Sequence, residues 1–116
     1  ITATAAVNTQ TTLTLPAPAA GQYVYVCSLF FIASNDGTST VQTNAVTTST
    51  NFNAWAIKFS APATANTTAF NQTWDWGTPG AGCVKSTAAA TATTFVSPAA
   101  GAAIAYTWGA TYYTGA

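Results

Sequence analysis

The chain contains no histidine, arginine, glutamate or methionine, and its 116 residues include only two lysines, Lys58 and Lys85, and two aspartates, Asp36 and Asp75. Each absence removes a class of chemistry. Without histidine there is no proton shuttle poised near neutral pH. Without arginine no planar fork can clamp a phosphate, and two carboxylates are too few to cage a hard cation. A net charge of zero at 3% charged residues gives no field to attract nucleic acid or an anionic membrane surface. Cofactors, metals, nucleic acid and membranes are therefore not expected as partners. The longest apolar run, Tyr23 to Ala33, is interrupted by Ser28 and falls short of the roughly 20 residues that a spanning helix needs. An outer-membrane barrel would share the strand alternation but normally carries charged linings and loops. The chain opens on Ile1 rather than methionine; a removed leader and a start inside a longer product both fit.

What remains is mostly small and uncharged: 26 Ala and 24 Thr, with 7 Ser and 7 Asn. The apolar fraction of 49% excludes a disordered chain, yet much of it is alanine. The core must therefore come from the few Val, Ile and Leu and from the 4 Trp, 5 Tyr and 6 Phe. A chain of this length fits a single domain, residues 1–116, that buries about two thirds of its unfolded surface. Soluble sheet proteins usually protect edges with interspersed charge. This chain lacks that means, so its edges and faces are expected to meet copies of itself or a larger body. The competing reading is a monomer solvated by Thr, Ser and Asn.

Threonine, β-branched and aromatic residues between Gly, Pro and Asn punctuation favour strands throughout. Leu13 and Leu15 share a strand face that Pro16 and Pro18 close. Gln22 to Ser34 is the longest strand, with Tyr23, Tyr25, Cys27, Leu29 and Phe31 on one face and Val24, Val26, Phe30 and Ile32 on the other. Apolar on both faces, it is expected at the centre of a sheet, covered on each side. Asn35-Asp36-Gly37 reads as a tight turn, and Thr38 to Thr50 as an edge strand with a loop. Asn53, Trp55, Ile57 and Phe59 alternate with Ala54, Ala56 and Lys58, a half-buried strand ended by Pro62. Phe70, Gln72, Trp74 and Trp76 then share a face, and Gly77 to Gly82 is a loop. Short strands follow at Cys83 to Ser86 and Thr91 to Val96, then a turn over Ser97 to Gly101, then a final strand, Ala103 to Thr114. Ile104, Tyr106 and Trp108 line one face of it. The expected fold is all-β: an antiparallel sandwich of jelly-roll type with about seven or eight short strands. Ile1 to Gln10, free of turns, could form an extended N-terminal arm suited to strand exchange with a neighbour.

The chemistry-bearing residues are few. Cys27 and Cys83 allow one disulfide, which would suit a secreted protein, or two thiols, one of them a buried small hydrophobe. With no histidine they cannot close a zinc site. A hydroxyl nucleophile would need a base; Asp36 lies in a turn, and Asp75, between Trp74 and Trp76, reads as a solvent-facing residue at a strand end rather than a general acid. An enzyme is not expected, and no catalytic residue is assigned. Exposed aromatics could stack on sugar rings; Trp55 and Trp108 read as core, whereas Trp74, Trp76 and Tyr113 are candidate ligand or partner aromatics. Asn66-Thr67-Thr68 and Asn71-Gln72-Thr73 match the N-glycosylation pattern, which matters only in a eukaryotic secretory context.

The run Leu13-Thr14-Leu15-Pro16-Ala17-Pro18-Ala19-Ala20-Gly21-Gln22-Tyr23 resembles the opening of small β-rich virion structural proteins of tailed bacteriophages. Val84-Lys85-Ser86, Thr94-Phe95-Val96, Pro98-Ala99-Ala100-Gly101-Ala102 and the terminal Tyr112-Tyr113 are similar to the same pattern, while Thr38 to Asn71 shares only its general character. The resemblance implies a non-enzymatic protein of the virion, such as a homotrimeric decoration or cement protein on the outer capsid surface, bound to the major capsid protein and to itself, or part of a fibre. Two other functions fit the residues: a carbohydrate-binding or receptor-recognition module using exposed aromatics, and a secreted, extracellular filament subunit that donates a strand to its neighbour.

Overall fold

Alternating threonines and apolar residues resolve into strands in the computed structural model, which describes residues 1–5, 9–35, 42–61, 68–98 and 104–116. Among these residues there are ten strands and no helix: β1 (Thr2–Thr4), β2 (Thr12–Leu15), β3 (Tyr23–Asn35), β4 (Gln42–Val46), β5 (Thr48–Thr50), β6 (Lys58–Ala61), β7 (Thr68–Asp75), β8 (Val84–Lys85), β9 (Thr93–Val96) and β10 (Ile104–Gly115). The excess over the seven or eight expected comes from β1 and from β4 and β5, two strands where one was expected between Thr38 and Thr50. A five-stranded sheet runs β1-β10-β3-β7, with β8 also on β3; a three-stranded sheet runs β2-β9-β5, and β4 pairs with β6. Every pairing between these strands is antiparallel.

The long apolar strand is central, as its composition requires, but its faces are not those that strict alternation gives. Thr111 lies opposite Ser28 and Tyr112 opposite Val26, so Cys27 has no partner on β10 and forms a β-bulge. The extra residue flips the phase. Val24 and Val26 point inward before it, and Leu29, Phe31 and Ala33 after it, all fully buried. Among the described residues no second layer covers the opposite face, and Tyr23, Tyr25, Phe30 and Ile32 stay half-buried. The expectation of cover on both sides is therefore corrected for these residues.

The inward faces of the five- and three-stranded sheets close on one core, which Ala45 of β4 and Phe59 of β6 also join. Leu13 and Leu15 of β2 and Phe95 of β9 meet Val24, Val26, Leu29 and Phe31 of β3 and Ile104, Tyr106 and Trp108 of β10. Aromatic rings supply the volume that aliphatic residues do not. Phe31 packs at 4.3 Å from Trp108 and 5.7 Å from Tyr106, and Phe95 sits 5.8 Å from Trp108, bridging the two sheets. Each such side chain contributes about 1.5–3 kcal/mol by leaving water. The indole N–H of Trp108, wholly buried, donates to the Thr11 carbonyl at 3.2 Å, which avoids the penalty of an unpaired buried donor.

Two further expectations change. The strand read from Asn53 to Phe59 begins only at Lys58. Asn51, Asn53 and Ala54 have φ of 59°, 50° and 52°, a left-handed path incompatible with a strand. Asn51 stabilises it: its amide oxygen accepts from Ala88 N–H at 2.6 Å and its amide nitrogen donates to Ala88 and Thr91 carbonyls. The polar stretch before it forms two strands, β4 and β5, meeting at Thr47. The Asp36 turn, residues 38–41, Pro62, the sequon at Asn66 and residues 99–103 lie outside the described residues. Within the N-terminal segment, Thr2–Thr4 pairs with its own chain, Ala3 opposite Trp108.

Candidate interaction surface

The outer face of the five-stranded sheet is built by the pairing just described. Register places Tyr25 opposite Tyr113, Ser28 opposite Thr111 and Phe30 opposite Gly109 on one side of β3. On its other side Tyr25 faces Lys85, Ser28 faces Asp75 and Phe30 faces Thr73. All of these share one face, because directly opposed residues point the same way. The Tyr25 and Tyr113 rings stack at 4.8 Å with planes 5° apart, and the Tyr25 hydroxyl donates to the Ala116 carbonyl at 2.7 Å. The Lys85 ammonium sits 3.8 Å from the centre of the Tyr23 ring, an arrangement that favours the cation electrostatically. Ser28 and Thr111 hydroxyls are hydrogen-bonded at 2.6 Å.

A shallow cleft of about 370 Å³ opens beside Asp75, lined by Cys27, Ser28, Gly77, Thr78, Thr111 and Tyr112 among others. Cys27, on its lining, forms a disulfide with Cys83, joining positions 56 apart in sequence. The bridge ties the bulge of β3 to the Gly77–Gly82 loop. That loop turns through Pro79-Gly80, with Gly80 at φ 84° and Ala81 N–H bonded to the Thr78 carbonyl at 2.8 Å, the geometry of a type II turn.

The candidate aromatics separate. Trp74 and Trp76 lie partly buried against the core with Trp55. Trp55 meets Trp74 edge-on at 5.0 Å and Trp76 at 6.2 Å, and Phe52 and Phe95 complete the cluster. Edge-to-face packing uses these rings for mutual contact rather than as an open platform. Tyr113, in contrast, lies on the outer face. Tyr23, Tyr25, Phe30 and Lys85 belong to that face too, and sequence reading did not single them out. Strict alternation divided Tyr25 from Phe30, and nothing local announces the bulge that unites them.

The outer face of the three-stranded sheet is different in kind. Thr12, Thr14, Thr48, Thr50, Thr94 and Val96 oppose one another across its strands, and the Thr50 and Thr94 hydroxyls are hydrogen-bonded. It carries hydroxyls and methyls but no charge and no large ring.

Among the described residues no group of three or more acidic, cysteine or histidine side chains could hold a metal ion, and no helix is long and apolar enough to cross a membrane. No protein-family model, no curated protein and no solved structure matches the chain.

Proposed function

We propose that this protein is a non-enzymatic structural subunit of a tailed-phage virion, a decoration or cement protein that sits on the outer capsid surface and associates with the major capsid protein and with copies of itself. The observation that carries the reading is the outer face of the five-stranded sheet: half-buried aromatic and aliphatic side chains run along the central strand, and register places only Asp75 and Lys85 there as charges. A face of that composition is better satisfied against another protein than against water. The chain's 3% of charged residues supports the same conclusion, since its strand edges carry little of the charge that keeps sheets apart. The edge-on packing of Trp55 against Trp74 and Trp76 leaves those three rings poorly placed as a glycan platform.

The test is direct. Purified protein is mixed with undecorated expanded heads assembled from a tailed-phage major capsid protein of the same source, and the bound fraction is measured by co-sedimentation. Saturable binding at a fixed ratio to capsid subunits is expected. Absence of binding at micromolar concentration, together with retention on a glycan array, would replace the virion reading with a receptor-recognition one.

A further inference from the structure

We propose that β7, the open edge of the five-stranded sheet, pairs antiparallel with β7 of a second copy about a two-fold axis at Thr73, joining the two sheets into one. This deepens the self-association in the reading above and rests on it only for that element.

The argument begins with which edge is unguarded. Sheet proteins protect an exposed edge by keeping it short or by placing lysine, proline or a bulge there. Among the described strands, β1 has three residues, β2 has four with Pro16 next in the chain, and β6 has four beginning at Lys58. With eight residues, β7 is the longest strand at the end of a sheet; it pairs with β3 alone and carries neither lysine nor proline. Its irregularity lies near its start, where Ala33 faces Phe70 and Ser34 faces Thr68, so that Ala69 has no partner on β3. From Phe70 the ladder is regular to Asp75, and the Trp76 N–H extends it by donating to the Cys27 carbonyl at 2.8 Å. Thr73 is the midpoint of that regular run.

Backbone phase then decides which groups are free. Successive residues of an antiparallel strand direct their N–H and C=O to alternate sides. The bond from Trp76 therefore fixes Trp76, Trp74, Gln72 and Phe70 as the residues bonded to β3, and the backbone groups of Asn71, Thr73 and Asp75 point away from the sheet. Among the described residues one hydrogen bond reaches them, a long one of 3.4 Å from Gln72 Nε2 to the Thr73 carbonyl. Asn71, Thr73 and Asp75 are exposed.

This edge is complementary to its own reverse. With Thr73 opposite Thr73 of the other copy, Asn71 of each copy stands opposite Asp75 of the other, so an amide donor meets a carboxylate. Each opposed pair exchanges two backbone hydrogen bonds. The two carboxylates stand about 14 Å apart at roughly 3.4 Å per residue, farther than the Debye length of physiological salt. On the inner face the same register sets half-buried Phe70 against half-buried Trp76, and Gln72 against half-buried Trp74, so the exposed rims of these rings leave water. Other registers are poorer: centring on Asp75 opposes like charges, and centring on Asn71 draws in the irregular Ala69 and leaves Asp75 beyond the regular run. An isologous contact of this kind closes a pair, not the trimer that the resemblance implies.

The experiment reads solution mass by sedimentation over a dilution series. The unaltered protein should be a concentration-dependent dimer. Thr73→Lys sets two ammonium groups against each other at the axis and should weaken the dimer about tenfold or more. Asn71→Lys places the same charge on the same face two residues away, where it meets Asp75, and should strengthen the dimer about threefold. Thr73→Pro removes an N–H that β3 does not use, a position where an edge strand tolerates proline, and should leave a folded monomer. Near-UV circular dichroism of the tryptophans verifies that each variant is folded. A monomer at the highest concentration, a trimer, a dimer indifferent to the lysine at position 73, or an Asn71→Lys variant weakened as much as Thr73→Lys overturns the proposal. Capsid binding is scored separately: a dimer that fails to bind heads leaves this edge assigned and removes the virion reading, whereas binding by a monomeric protein does the reverse.

Discussion

Phe30 and Gly109 stand opposite each other on neighbouring strands, and the Phe30 ring covers the glycine so closely that a Cβ at position 109 would overlap Cε1 and Cζ of the ring. Glycine inside a strand normally weakens it. Here it gives the ring a seat, and the ring shields the backbone that glycine leaves bare. The pair helps to shape the outer face on which the proposed association depends.

Gly109→Ala should therefore push the Phe30 ring off the sheet and cost about 1–2 kcal/mol, within the usual range for overpacking. In a Phe30→Ala background the same change should cost nothing or stabilise slightly, because alanine in a strand restrains the unfolded chain more than glycine does. A double-mutant cycle in urea measures the coupling. Additive effects would mean that the two residues do not interact.

Removing the Cys27–Cys83 bridge by changing both residues to serine should destabilise the protein by about 4 kcal/mol on the chain-entropy model, given its separation of 56 residues. Urea midpoints with and without a reductant provide the comparison. A reduced protein as stable as the oxidised one would show that the bulge and the Gly77–Gly82 loop hold their places without the bond.

Thr47 is fully buried at the junction of β4 and β5, and its hydroxyl oxygen accepts the Ile57 N–H at 2.8 Å while its own N–H donates to the Ile57 carbonyl at 2.9 Å. Thr47→Val keeps the shape but strands a buried amide. The expected loss is about 1–3 kcal/mol, most of it recovered in Thr47→Ser. Equal stability of the valine variant would mean that water or another group reaches Ile57.

Where side-chain pattern alone carries the information, the sequence was readable. Ile104, Tyr106 and Trp108 recur with period two and are all buried in β10, and Leu13 and Leu15 behave likewise in β2. Lys58 faces water and Asp75 ends its strand exposed, as expected of charged residues beside an apolar alternation. The pattern failed between Asn53 and Trp55, where left-handed residues replace a strand. The periodicity was present there, but hydrogen bonds from Asn51 to a loop some forty residues away decided the backbone.

Composition by itself determined an all-β protein with an aromatic core and a nearly uncharged surface, because threonine and ring side chains suit a pleated surface and four ionising residues cannot cover one. Only the tertiary structure decided which rings face out. A single residue with no register partner on β10, Cys27, reverses the alternation of β3, and since side chains alternate with period two, that one insertion moves every later residue to the opposite face. Tyr25 and Phe30 thereby join Lys85 and Asp75 on one surface. The two on β3 are far in the chain from Asp75 and Lys85, and only strand pairing brings them together.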